Sequence, residues 1–262
     1  SFLPANNEDE AYNEDVEDNL NRAVDGFFTM PAREALSTLS DEGEIFEVRR
    51  AYGEGAVTAF LRLNGQTVGG IATTGEALHW KAVVKMNRFL RFCNSFSIPV
   101  LTLCDTPGFE NCSCNEMHMT KEMGELLSAY GNASVPLVTL VKKAVGSAGA
   151  CLGSKGLGAD LVFAYPESEI SVMDAKLAAN ILYPDETLED REEKAKQFLE
   201  EKGSAKSAAY RGYIDAIILP EETRQRVISA FDMLYGKANF DFHKKYGEIS
   251  PHFNLYLIIL ER

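Results

Sequence analysis

The chain has 262 residues, enough for one large domain or two small ones with a sizeable core. Its 45% hydrophobic and 25% charged content is that of an ordinary soluble globular protein. The net charge of −13 excludes a non-specific nucleic-acid binder, which needs cationic surface to displace counterions.

The charge is concentrated at the start. Residues 1–20 carry Glu8, Asp9, Glu10, Glu14, Asp15, Glu17 and Asp18 and no Lys or Arg. We read residues 1–30 as an acidic linker or N-terminal extension and residues 31–262 as the folded domain. A cation site is the poorer reading, because the run lacks the Gly-punctuated spacing of a calcium loop. The sequence enters this linker without an initiator Met, so a piece of a longer chain is expected. No basic-then-apolar leader is visible, and the apolar run Leu255–Leu260 is far too short to span a bilayer. Five cysteines in this composition point to reduced thiols. The expectation is a cytoplasmic protein with no direct membrane insertion.

Pro31 opens a short amphipathic helix over Ala32–Leu39. Strands are expected at Ile45–Arg49, Ala56–Leu63 and Thr67–Thr73, with Asn64-Gly65 as a two-residue hairpin turn. Apolar residues at helical spacing (Val84, Phe89, Phe92, Phe96) predict a helix over Lys81–Phe96. The runs Val100–Cys104 and Leu137–Val141 read as buried strands separated by a helix over Lys121–Tyr130. A Gly/Ala-rich stretch from 144 to 158 precedes strands at Leu161–Ala164 and Glu169–Val172. Helices over Ala175–Leu182, Leu188–Glu201 and Thr223–Tyr235 complete the reading, with Ile214–Leu219 a short apolar insert. Strands alternating with helices indicate an α/β domain, and no dinucleotide-binding G-x-G-x-x-G lies between a strand and a helix.

Chemistry is expected where buried strands end, since loops there can hold backbone amides against a ligand. Two junctions qualify. The first is Cys104-Asp105-Thr106-Pro107-Gly108-Phe109. The second is Lys143-Ala144-Val145-Gly146-Ser147-Ala148-Gly149-Ala150. In the second, small residues and a sharp glycine turn would expose successive N–H groups at a helix start, an arrangement suited to a developing oxyanion. A tightly packed helix start with no ligand explains the same composition. Ser147 as a nucleophile is a weaker alternative: the turn is not G-x-S-x-G, and none of His79, His118, His243 and His252 has a telling context. Cys112-Ser113-Cys114 with His118 reads as a surface loop with ordinary thiols, because no second Cys/His pair is visible.

Taken in order, the motifs resemble the carboxyltransferase component of biotin-dependent acyl-CoA carboxylases and decarboxylases, specifically its C-terminal half. Leu3-Pro4-Ala5-Asn6-Asn7 is similar to the interdomain linker of that family. Asp41-Glu42-Gly43-Glu44-Ile45-Phe46-Glu47 is similar to its D-x-x-x-F-x-E segment, and Asp105, Pro107, Gly108 and Phe109 to its D-x-P-G-F turn. Lys143-Ala144, Gly146, Ala148 and Ser154-Lys155 match the biotin-side motif. Ala164-Tyr165-Pro166, Glu169-Ile170, Val172-Met173, Ala175-Lys176, Arg211-Gly212-Tyr213-Ile214-Asp215, Pro220 and Thr223-Arg224 continue the series.

The resemblance implies a crotonase-like fold, a spiral of strand-strand-helix units with two roughly perpendicular sheets. It implies carboxyl transfer between carboxybiotin on a carrier protein and the α-carbon of an acyl-CoA, with the backbone amides of Ser147 and Ala148 as oxyanion donors. Gly146 would shape the turn, and Gly149 with Asp105, Pro107, Gly108 and Phe109 would complete the cofactor side. The partners it implies are an N-terminal carboxyltransferase half that binds acyl-CoA, a biotin carboxyl carrier protein and further copies of the chain, so that the chain alone is inactive. The reverse reaction, as in the α subunit of a sodium-pumping CoA-ester decarboxylase, and a non-catalytic assembly module are the alternatives. This sequence departs from the family pattern at Ser147, where a second Gly is common, and at Glu110–Glu116 after the P-G-F turn.

Overall fold

The computed structural model describes Phe2 and residues 18–237. Most of the acidic run, the Leu-Pro-x-Asn-Asn segment and Leu255–Leu260 lie outside the described residues.

Seven strands form one sheet in chain order: β1 (Ile45–Glu47), β2 (Ala56–Leu63), β3 (Gln66–Thr73), β4 (Val100–Thr106), β5 (Leu137–Val145), β6 (Leu161–Ser171) and β7 (Ala216–Ile217). The first three pair antiparallel and β3 to β7 pair parallel. The β2–β3 connection is the expected two-residue turn, with Asn64 at φ 52° and Gly65 at φ 79°, the left-handed pair that an Asn-Gly hairpin uses. Each parallel step needs a crossover, supplied by α2 (Trp80–Ser95) between β3 and β4 and by α3 (Ser113–Gly131) between β4 and β5.

The apolar runs of β2 to β5 are continuous because helices cover both faces. On one face α2 and α3 pack Met86, Phe89, Leu90 and Tyr130 against Ile71, Val100 and Leu137. On the other, α1 (Ala32–Leu39) and α8 (Thr223–Leu234) pack Leu36, Val227 and Phe231 against Leu61, Leu101 and Leu140. Fully burying one such side chain contributes about 1.5–3 kcal/mol, so these two layers hold the sheet. Between β5 and β6 the chain adds α4 (Gly146–Ala150), and between β6 and β7 it adds α5 (Ala175–Leu182), α6 (Leu188–Phe198) and α7 (Ala205–Tyr210).

Packing begins before residue 31. Val24 and Phe27 are buried in the second layer, and Phe27 and Phe28 both contact the Tyr165 ring, so part of the segment read as linker belongs to the folded body. Arg224, wholly buried, ties this region to the far end of the chain. Its guanidinium donates to the carbonyls of Leu39 (3.1 Å) and Asn19 (2.7 Å) and pairs with Asp41 and Asp18. Asp41 in turn accepts from the hairpin amides of Asn64 (3.1 Å) and Gly65 (2.8 Å).

Beyond their middles the parallel strands shift register, between Cys104 and Asp105 in β4 and between Val141 and Lys143 in β5. The resemblance implies two roughly perpendicular sheets, whereas the named strands form one sheet, whose ends Asp105–Thr106, Lys143–Val145 and Glu169–Ser171 pair with one another past the shift. Leu161–Ala164 and Glu169–Val172, expected as two strands, are one strand interrupted by a bulge. There Ser168 Oγ accepts from the Tyr165 N–H (2.8 Å) and donates to the Val141 carbonyl (2.6 Å), replacing ladder bonds around Pro166.

Candidate active site

The two junctions singled out in the sequence come together. Asp105 and Thr106 pair with Lys143 and Ala144, so the turn after β4 and the turn after β5 leave the sheet side by side.

The β4 turn is held on every side. Thr73 Oγ1 accepts from the Asp105 N–H and donates to the Asp105 carbonyl, both at 2.7 Å. Thr106 Oγ1 bonds across the turn to the Gly108 carbonyl (3.1 Å). Gly108 has φ 138°, and its carbonyl accepts from the Leu78 N–H (2.9 Å), while Leu78 bridges Phe109. Pro107 is exposed, and Phe109 packs against the first core layer. The Asp105 carboxyl is pushed above its ordinary value by burial, against the opposing pull of Lys142 and Lys143.

Lys142, which the sequence reading passed over, is 3% exposed. Its Nζ donates to the Met30 carbonyl (2.8 Å) and lies 5.3 Å from the centre of the Phe27 ring. Burial lowers its pKa, and Asp105 opposes that shift. Lys142 follows Val138 and Leu140 at alternate positions of β5 and so faces the second layer, where Met30 and Phe27 lie. Lys143 instead pairs with Glu169 at 2.8 Å.

The β5 turn is α4. Gly146, its first residue, sits at φ 65°, a left-handed conformation that costs other residues about 1–2 kcal/mol. No side chain caps the helix. Ser147 is exposed, Ala148 is buried and Ala150 is exposed. Ser147 is outside the set of positive-φ residues, so a side chain there brings no backbone strain in place of a second glycine. Among the described residues no hydrogen bond joins the Ser147 hydroxyl to a histidine, and a nucleophile reading lacks its base. Gly149 has a different role from Gly146: a Cβ there would lie 2.6–2.7 Å from the main chain and Cβ of Ala144, so glycine is what lets α4 fold back on β5.

Other motif residues are structural. Lys155 pairs with Asp215 (2.8 Å) and donates to the Asp160 carbonyl, and Asp215 also accepts from the Val162 N–H. Arg33 pairs with Glu47, and Phe46 stacks on Phe60 with ring centres 6.5 Å apart.

The cysteine segment differs from expectation. Cys112 caps α3, which begins eight residues earlier than the periodicity predicted, so Cys114 and His118 lie on a helix. The histidine beside the two thiols is His79, not His118, which stacks on Trp80. Asn115, also passed over, is buried and joins the two loops: its side chain accepts from the Trp80 N–H (2.8 Å) and donates to the carbonyls of Leu78 (3.0 Å) and Glu110 (2.7 Å).

Among the described residues no helix is long and apolar enough to cross a membrane. Residues 2–249 match the carboxyl transferase domain family. The α subunit of methylmalonyl-CoA decarboxylase from Veillonella parvula is 35% identical over 95% of this chain and 51% of its own length. The propionyl-CoA carboxylase β chain of Cereibacter sphaeroides is 38% identical over 89% of this chain and 48% of its own. The structure superposes on the transcarboxylase 12S subunit, solved as a hexamer with hydrolysed methylmalonyl-coenzyme A bound, with a TM-score of 0.83 at 34% identity, covering 94% of this chain and 51% of that one. The β subunit of geranyl-CoA carboxylase from P. aeruginosa shares the fold, with a TM-score of 0.72 at 22% identity over 90% of this chain and 47% of its own. The chain spans about half the length of these relatives. The mixed α/β sheet is the crotonase-like fold of these carboxyltransferases, and the chain belongs to the carboxyl transferase domain family.

Proposed function

We propose that this chain is the biotin-side half of a carboxyltransferase that moves a carboxyl group between carboxybiotin and the α-carbon of an acyl-CoA. The observation that carries the reading is the uncapped start of α4, where Gly146 turns the chain, beside the D-x-P-G-F turn. The site fits a planar, anionic group: its residues are small, Ser147 is exposed and no side-chain hydrogen bond caps the helix start.

Carboxybiotin would supply the transferable carboxyl group and, after its departure, a ureido oxygen bearing negative charge. The Ser147 and Ala148 amides would donate to that oxygen from the first turn of a helix, where N–H groups lack intrahelical acceptors. Fixed donors of this kind need no reorganisation, and one is worth roughly 2.7–4 kcal/mol in a transition state. Gly146 sets their direction, Gly149 sets their distance from β5, and the Asp105–Phe109 turn forms the adjoining wall. The same donors serve either direction of transfer.

The acyl-CoA would bind to an N-terminal half, and the biotin would arrive on a carrier protein. Support for a docked partner lies on α5, which is apolar on two sides. Ala178 and Ala179 are buried, while Leu177 and Ile181, one turn apart, are 52% and 60% exposed. The preceding Val172, also exposed, has its carbonyl near Gly146.

Replacing one amide tests the mechanism. Ser147→Ala keeps the N–H and should leave carboxyl transfer, measured with the N-terminal half and carboxybiotin supplied, within about threefold of the parent. Ser147→Pro removes that donor in the first turn of the helix, while also constraining Gly146, and should lower the rate about 10²–10³-fold or more. Loss of activity in Ser147→Ala would instead point to side-chain chemistry, and full activity in Ser147→Pro would remove the amide from the mechanism.

A further inference from the structure

His79, Cys112 and Cys114 form a compact set of soft ligands outside the α4 turn. Their donor atoms all lie within 4.8 Å of one another, with His79 Nε2 3.2 Å from Cys114 Sγ and the two sulfurs 2.8 Å apart. All three are half-buried. They come from the starts of α2 and α3, whose relative position is independently fixed. Asn115 binds the main chain on both sides of His79, at Leu78 and Trp80, and on the approach to Cys112, at Glu110. Leu78 is also paired with the P-G-F turn through its bonds to Gly108 and Glu110. The main chain that carries the ligands is therefore preorganised.

We propose that His79, Cys112 and Cys114 bind one zinc ion, with water as the fourth ligand. Two thiolates and an imidazole are the donor set that this borderline-soft cation takes in tetrahedral sites. Cys112 is the N-cap of the 19-residue α3, and Cys114 lies in its first turn. Zn–S bonds of about 2.3 Å and a Zn–N bond of about 2.0 Å require tetrahedral edges near 3.5–3.8 Å. The sulfurs must then separate by about 1 Å, within reach of a χ1 rotation. Ligation through Nε2 places the imidazole proton on Nδ1, so the 3.3 Å bond from the Lys81 N–H to Nδ1 is given up. The ion would staple the start of α2 to the start of α3 and so brace the P-G-F turn.

The test uses the full 262-residue chain, reduced and stripped of metal by chelation. Titration with Co²⁺ should produce a thiolate-to-cobalt charge-transfer band saturating at one ion per chain and displaced by Zn²⁺, and Zn²⁺ should raise the melting temperature. Cys112→Ser with Cys114→Ser should abolish the band. His79→Asn, which retains a helix-capping side chain, should weaken binding by about tenfold or more, and His118→Asn should leave it unchanged. A parent chain that gives no charge-transfer band overturns the proposal. So does binding that survives the double serine variant, since Cys93, Cys104 and Cys151 would then be the ligands. A two-dalton mass loss at Cys112–Cys114 in place of metal uptake would make the pair a disulfide and also overturn it.

Discussion

Asp105 sits where burial and charge oppose each other. Burial raises its carboxyl pKa above the ordinary 3.8, and the nearby Lys142 and Lys143 recover only part of the shift. Below the unfolded value the carboxyl is protonated in both states and costs nothing. As the pH rises through the raised folded value, the unfolded chain ionises first, so the folded state loses stability across that window and carries the full penalty above it. Asp105→Asn removes the titration. Thermal melts of the two proteins from pH 3.5 to 7 should show the parent losing ground to the variant as pH rises through the window, with a constant difference above it. A difference that is flat across the whole range would show that this carboxyl is not perturbed. Retaining a carboxylate at such a position, despite that cost, is consistent with a functional role.

At the scale of elements, the α4 turn depends on a close approach more than on helix propensity. Gly149→Ala would place a methyl group 2.6–2.7 Å from Ala144, and backbone on both sides leaves little room to yield. We expect a destabilisation of about 1–3 kcal/mol by denaturant unfolding, together with a loss of carboxyl transfer beyond what the stability change explains. Unchanged stability would show that α4 shifts freely.

What the sequence disclosed follows the same division. The hairpin at Asn64-Gly65 and the buried strands β4 and β5 were legible because turn chemistry and continuous apolar runs are local signals. The α4 turn was legible as a run of small residues, and the ligand proposed for it rests on resemblance to a family. Three features stayed hidden because they are made by distant pairs. The bulge that unites β6 depends on Ser168 meeting Val141. The first turns of α3 are polar, and their helix is fixed by Asn115 reaching Leu78 and Trp80. His79 lies 35 positions from Cys114, too far for any spacing rule to pair them.

At the scale of the whole molecule, the exposed apolar face of α5 is where the proposed partner would dock. Leu177→Asp with Ile181→Asp changes only exposed positions and should leave the melting temperature nearly unaltered. Light scattering should show reduced association with the N-terminal half or with further copies, accompanied by loss of transfer activity. Unaltered association would place the docking face elsewhere.

The ionic junction of Arg224 with Asp41 joins residues 183 positions apart. During synthesis the hairpin turn at Asn64-Gly65 and its Asp41 anchor leave the ribosome long before α8 exists. Asp41 must remain hydrated over that interval, and the arginine can be desolvated only once its acceptors at Asn19, Leu39 and Asp41 are in place. Burial of this pair is therefore a late event, closing one of the longest loops in the fold, and loop closure of that length slows folding. A chain that ends before α8 leaves Asp41 without its arginine and one sheet face without its α8 cover, apolar surface of the kind that makes incompletely folded species prone to aggregate.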